Sequence, residues 1–134
     1  MELVRVLLAD DHAGVLAYLC ARLGKVFEIV GAVKDGKQAV DAALRLDPDV
    51  VVLDISMPVL NGFQAAACLQ DIKCRTKVVI LTTYEDNEYI SEAFSSGASA
   101  YVTKRHLETD LVPAILAVLH GNTFISPSIA QLQA

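Results

Sequence analysis

The 134-residue chain reads as an α/β domain in (βα)5 order, a doubly wound five-stranded parallel sheet with helices on both faces. Three observations predict this. Short apolar runs alternate five times with longer stretches of helical pattern. The runs Leu3–Ala9, Val50–Leu53, Val78–Leu81 and Ala98–Thr103 are almost wholly apolar, as strands buried on both faces are. Finally, Asp10, Asp11, Asp54, Thr82 and Lys104 each follow or close such a run. In a parallel sheet the carboxyl ends of the strands share one edge, so these five residues are expected to meet there.

Each element has a local reason. After the first strand, His12–Leu23 forms a helix stopped by Gly24. Val26–Val33 is the second strand. Asp35 caps the second helix, with Gln38 three residues on in capping-box fashion, and Asp47-Pro48 ends it. Val50–Asp54 is the third and most apolar strand. The loop Ile55–Leu60 leads to Asn61, a cap for a helix reaching about Lys73. Lys77–Thr82 is the fourth strand and Asn87–Ser95 the fourth helix, after which Ser96-Gly97 turns the chain into the fifth strand. The last helix is expected from near Thr109 to His120, stopped by Gly121. Pro113 then falls in the first turn, where N–H groups have no intrahelical partner. Residues 1–121 make one domain, and 122–134 reads as a short extra helix, a frayed tail or the stub of a linker.

Composition narrows the function. Hydrophobic residues make up 54% of the chain and mean hydropathy is +0.44, which a sheet buried on both faces explains. A membrane span needs about 18 or more unbroken apolar residues, and no such run occurs. Charges at Glu2, Arg5, Asp10 and Asp11 rule the start out as a signal peptide, so a cytoplasmic protein is expected. A net charge of -5 argues against direct nucleic-acid binding by this chain. Cys20, Cys68 and Cys74 lack metal-type spacing and read as reduced cysteines, and His12, His106 and His120 are scattered at helix starts and a helix end.

The edge residues define a chemistry. Three carboxylates, Asp10, Asp11 and Asp54, would raise one another's pKa unless a cation sits among them. Mg²⁺ suits such a set, since it takes octahedral oxygen ligands, keeps waters and pairs carboxylates with phosphate. An aspartate is also a possible nucleophile toward phosphorus, where developing charge calls for fixed donors. Thr82 supplies a hydroxyl and Lys104 a compact positive charge. Singly, Thr82 is a common strand residue and Lys104 a common solvated lysine. Their weight comes from occupying strand ends four and five, beside strand three.

The motifs Leu8-Ala9-Asp10-Asp11-His12, Asp54-Ile55-Ser56-Met57-Pro58 with Asn61-Gly62, Leu81-Thr82-Thr83, Gly97-Ala98, and Tyr101 three residues before Lys104 stand in order over Leu3–Gly121. Together they resemble the receiver domain of two-component response regulators, the CheY-like, flavodoxin-like fold with strand order 2-1-3-4-5. Ala9-Asp10-Asp11-His12 and Ile125-Ser126-Pro127 further resemble the NarL/FixJ-type class, whose receivers precede a helix-turn-helix DNA-binding domain. The resemblance implies that Asp54 is the phosphoacceptor for a sensor histidine kinase. It implies Asp11, Asp54 and the Ser56 backbone carbonyl as Mg²⁺ ligands, with Asp10 acting through water. Thr82 and Lys104 would bind phosphoryl oxygens, and Tyr101 would swing inward as Thr82 is drawn to the phosphate, a two-state switch. Ser56 and Tyr84 would tune the lifetime of the phosphoryl group. A homodimer through the last two helices or through the first and fifth is compatible with this class.

Two positions depart from the family pattern. Arg105 follows Lys104 where such domains commonly carry a proline with a cis peptide, which costs about 3 kcal/mol before any other residue. Thr83 is bulkier than the usual alanine or glycine and would narrow access to the phosphoryl. Competing functions fit less well. An aspartate-nucleophile phosphohydrolase wants two aspartates two residues apart and a substrate cap, and a flavin-mononucleotide binder wants a Ser/Thr/Gly-rich loop after strand one. A receiver-like module that binds partners without phosphorylation would not need the intact acidic set.

Overall fold

The strands alternate two side-chain faces, and both are apolar. The structure, a computed structural model, describes residues 3–130. Its strands are β1 (Arg5–Ala9), β2 (Glu28–Val33), β3 (Val50–Leu53), β4 (Lys77–Thr82), β5 (Ala100–Thr103) and β6 (Phe124–Ile125). The helices are α1 (Ala13–Leu23), α2 (Gly36–Leu46), α3 (Gly62–Asp71), α4 (Asn87–Ser95), α5 (Leu107–Leu119) and the short α6 (Pro127–Ala130). All strand pairs are parallel, in the order β2-β1-β3-β4-β5-β6. Val6, Leu8, Val50, Val52, Val79, Leu81, Ala100 and Val102 face α1 and α5, which add Leu16, Leu19, Leu111 and Ile115. Leu7, Ala9, Val51, Leu53, Ile80 and Tyr101 face the opposite way. There α2, α3 and α4 approach closely through small side chains: Ala39, Ala42, Ala43, Ala65, Ala66 and Ala93.

Caps set the helix starts. Asn61 and Gln64 form a full capping box: the Gln64 N–H donates to Asn61 Oδ1 at 2.8 Å, and the Asn61 N–H donates to Gln64 Oε1 at 2.9 Å. At α2 only half of the expected box forms. Asp35 accepts from the Gln38 N–H at 2.7 Å, but the Gln38 side chain accepts from Lys34 N, one residue too early.

Two expectations about the carboxyl-terminal part change. The sheet has six strands, not five, because residues after α5 return to pair with β5: Ala100 lies opposite Phe124 and Tyr101 opposite Ile125. Gly121, at φ 82, makes the return, a left-handed conformation that suits glycine. Of the readings for the segment after Gly121, residues 122–130 give a strand and a short helix whose Ile129 is fully buried. Residues 131–134 lie outside the described ones. The last long helix also starts at Leu107 instead of Thr109, because the 3-10 turn Lys104–His106 runs directly into it and Leu107 packs against the core. Pro113 is therefore its seventh residue and lies beyond the first turn, which leaves the Thr109 carbonyl without its intrahelical donor.

The end of the sheet away from the candidate site is fastened by Asp49. Its carboxylate accepts from the Arg5 backbone N–H at 2.9 Å and from the Arg75 guanidinium at 3.1 Å. The backbone bond first, then Arg75, outweigh partial burial and hold its carboxyl below the usual range. A depressed folded pKa stabilises above the unfolded value of about 3.9, and the effect is lost as pH falls through the folded pKa. Asp49→Asn should therefore cost about 1 kcal/mol at neutral pH. Urea unfolding of both proteins across pH should show that gap closing in acid.

Candidate functional site

Register places the site. Ala9 pairs with Leu53, so Asp10 and Asp54, the next residues, stand abreast at the carboxyl edge. The Asp54 N–H donates to the Ala9 carbonyl at 3.0 Å, continuing the ladder past the strand ends. On the other side Thr82 pairs with Thr103, and Lys104 follows. The sheet thus brings Asp10, Asp54, Thr82 and Lys104 to one edge, as the sequence predicts.

Both carboxylates are buried, Asp10 to 2% and Asp54 to 5% exposure. Two buried carboxylates side by side would be strongly destabilising without a cation. Lys104 supplies one, its Nζ lying 2.8 Å from Asp10 Oδ2 and 3.2 Å from Asp54 Oδ2. The remaining Asp54 oxygen accepts from the Ile55 N–H at 2.7 Å. Burial pushes the Asp54 carboxyl above the usual range; Lys104 opposes the rise and Asp10 adds to it. Burial by itself would lower the Lys104 pKa, but its hydrogen bond to Asp10 and the charges of Asp54 and Asp10 win, and the net direction is up. An ammonium between two carboxylates stays protonated.

Asp11 is exposed and completes the acidic set. Oxygens of Asp10, Asp11 and Asp54, with a ring nitrogen of His12, lie within 4.8 Å of one another. The sequence reads His12 only as one of three scattered histidines at a helix start, yet its Nδ1 is 3.1 Å from Asp11 Oδ1 and its backbone N–H donates to Asp10 Oδ1 at 2.9 Å. Its place as the residue before α1 was the available signal. Three carboxylates against one ammonium leave two negative charges uncompensated. That excess, carried on hard oxygen donors, fits a divalent cation such as Mg²⁺.

The loop after β3 is tightly folded. The Leu60 N–H donates to the Pro58 carbonyl at 2.8 Å across Val59, whose φ is 69, a strained turn for a β-branched residue. Gly62 lets α3 begin against this loop, since a Cβ there would lie 2.3 Å from the Asp54 carbonyl oxygen. Ser56, exposed on the loop, has its Oγ 3.1 Å from the Tyr84 hydroxyl.

Thr82 is fully buried, and its Oγ1 accepts a long hydrogen bond from the Tyr84 N–H at 3.4 Å. Tyr101 is fully buried too, and its hydroxyl donates to the Tyr84 carbonyl at 2.7 Å. Burial, then the nearby charges, raise its pKa, so the phenol remains a donor. Tyr84 stacks on Tyr89 with ring centroids 4.6 Å apart, and Tyr89 on Phe63 at 6.2 Å. Glu85, which sequence reasoning passed over, bonds Thr103 and Arg105 on either side of Lys104. Thr83 is exposed beside the site, and no cis peptide occurs among the described residues.

Comparison with known proteins agrees with this architecture. The family model of the response regulator receiver domain matches residues 6–116. The chain is 34% identical over 131 residues to the response regulator GacA of Pseudomonas viridiflava, covering 96% of this chain and 61% of that protein. It is 30% identical over 129 residues to the transcriptional regulatory protein LnrK of Bacillus subtilis, covering 95% and 59%. The crystal structure of a LuxR-family two-component response regulator from Aurantimonas sp. SI85-9A1 superimposes with a TM-score of 0.92 at 30% identity, over 97% of this chain and 94% of that one. The chain thus spans about six tenths of the length of these curated relatives.

The Lys104 contacts make one direct prediction. In metal-free buffer, the Asp54 carboxyl of Lys104→Met should titrate at higher pH than that of wild type, because the ammonium lowers it. Carboxyl carbon chemical shifts followed against pH would measure this, and an unchanged midpoint would contradict the contact.

Proposed function

The chain belongs to the response regulator receiver domain family, and we propose that it works as a phosphoacceptor switch in which Asp54 takes a phosphoryl group from the phosphohistidine of a sensor kinase. The observation that carries this reading is the Lys104 ammonium set between Asp10 and Asp54 at the sheet edge. An Asp54 carboxylate oxygen attacks phosphorus, a P–O bond forms, and the P–N bond to the donor imidazole breaks. Asp11, Asp54 and the Ser56 backbone carbonyl would hold Mg²⁺, and Asp10 would act through water. When bound, the ion neutralises charge on the phosphoryl oxygens. Lys104 moves its charge from Asp54 toward the new phosphoryl, and Thr82 turns its hydroxyl to donate there.

The switch lies in what that turn disturbs. Thr82 Oγ1 accepts from the Tyr84 N–H, and the Tyr84 carbonyl accepts from Tyr101. A phosphoryl group that draws Thr82 inward shifts this loop, and the inward Tyr101 is the arrangement the phosphorylated protein would favour. The change is a shift in population between two packings. The Ser56–Tyr84 hydroxyl pair stands at the mouth of the site, where it would govern how long the phosphoryl survives.

The output is proposed from the relatives. GacA is a response regulator and LnrK a transcriptional regulatory protein, and each extends well beyond the matched length. We infer a cytoplasmic regulator of transcription in which residues 1–121 receive the signal, 122–134 lead onward, and a helix-turn-helix domain outside this chain contacts DNA. Self-association into a homodimer is part of the same reading. Among the described residues no helix is long and apolar enough to cross a membrane.

The test is intact mass after incubation with acetyl phosphate and Mg²⁺. Wild type should gain one phosphoryl group, and the gain should disappear in Asp54→Asn and when Mg²⁺ is chelated. A gain of equal size in Asp54→Asn would overturn the assignment.

A further inference from the structure

Lys104 is flanked by two residues that share one partner. We propose that Glu85 is a positioning residue for Lys104, holding from the β4–α4 loop the turn from which the ammonium reaches Asp54. The inference rests on the phosphoacceptor reading given above. Thr103 Oγ1 donates to Glu85 Oε2 at 2.8 Å, and the Arg105 guanidinium donates to Glu85 Oε1 at 2.8 Å. Each oxygen of a single carboxylate is therefore used by a residue adjacent to Lys104, one on either side. The Thr103 backbone N–H donates to Ser126 Oγ at 3.1 Å, so the lysine's strand end is tied on its other flank as well.

The placement links the two donors of the site. Thr82 and Thr103 are partners in the β4–β5 register, and Glu85 lies three residues past Thr82. The carboxylate ties the loop that follows Thr82 to the turn that carries the Lys104 ammonium. A lysine needs such a tie more than most residues, since its four-carbon stem is flexible and its charge a point. Stabilising charge in a transition state depends on donors already in place.

The two bonds are unequal. Arg105 has a side chain 63% exposed, and a surface ion pair of that kind contributes little. Thr103 is fully buried, and its hydroxyl bonded to a carboxylate is the stronger, charge-assisted kind. Without Glu85 that hydroxyl has to find another acceptor inside the protein. The Thr103 bond therefore dominates, and an amide at position 85 would preserve it.

The test compares Glu85→Ala, Glu85→Gln and Arg105→Ala with wild type. Phosphorylation by acetyl phosphate with Mg²⁺ is followed over a range of donor concentrations. Amide nitrogen relaxation of residues 103–106 is measured in the unphosphorylated proteins. Glu85→Ala should lower the maximal rate roughly tenfold, leave the half-saturating donor concentration unchanged, lower the melting temperature modestly because the buried Thr103 hydroxyl loses its acceptor, and loosen residues 103–106. Glu85→Gln should restore most of the rate, and Arg105→Ala should lose about twofold or less. Wild-type rate and order in Glu85→Ala would overturn the proposal. So would a loss that tracks a lowered melting temperature and is not recovered by Glu85→Gln. If wild type itself takes no phosphoryl group, the phosphoacceptor reading fails, and the relaxation data still decide whether Glu85 holds the lysine turn.

Discussion

Two aspartates at neighbouring strand ends, each almost wholly buried, face one another across the edge of the sheet. Burying a carboxylate costs several kcal/mol unless it is paired, and here a single ammonium answers both. Lys104 comes from the far side of the edge, two strands away from Asp54 in the order β3-β4-β5. Closing that contact requires β3, β4 and β5 to end together. This in turn requires the parallel register that the apolar runs enforce through burial on both faces. The charge left over, two negatives on hard oxygens, is what fits the edge to a divalent cation.

Tyr84 joins the edge to several other elements at once. Its N–H meets Thr82, its carbonyl meets Tyr101, its hydroxyl meets Ser56, and its ring stacks on Tyr89. These contacts join that one residue to the loop after β3, to α4 and to β5. On β5 the Tyr101 carbonyl accepts from the Ser126 N–H at 2.9 Å, so the strand that carries the buried tyrosine also carries the short β6 and the turn into α6. The short β6 and α6 therefore lie directly on the face that a change at Tyr101 would disturb.

Much of this was legible in sequence because burial leaves a pattern. The runs Val50–Leu53 and Val78–Leu81 have no polar residue to place at a surface, and the first polar residue after each marks the edge: Asp54 and Thr82. Caps such as Asn61 with Gln64 were legible for the same local reason. What escaped depended on contacts distant in the chain. The start of α5 was misplaced because Leu107 is drawn in by packing that no local signal records. The sixth strand was not expected because Phe124-Ile125 is too short to show a period and gains its hydrogen bonds only from β5. Glu85 went unread because a glutamate in a loop is ordinary until Thr103 and Arg105 are seen to converge on it.

The central claim is that Asp54, and not another acidic residue of the cluster, forms the bond to phosphorus. Borohydride converts an acyl phosphate to an alcohol, so an aspartyl phosphate is left as homoserine at the position that carried it. The protein would be treated with phosphoramidate, a donor with the same P–N bond as phosphohistidine, in the presence of Mg²⁺, then reduced, digested and mapped by peptide mass. The account predicts homoserine at position 54 alone. Homoserine at position 10 or 11, or phosphate retained on His12 with no homoserine anywhere, would contradict it.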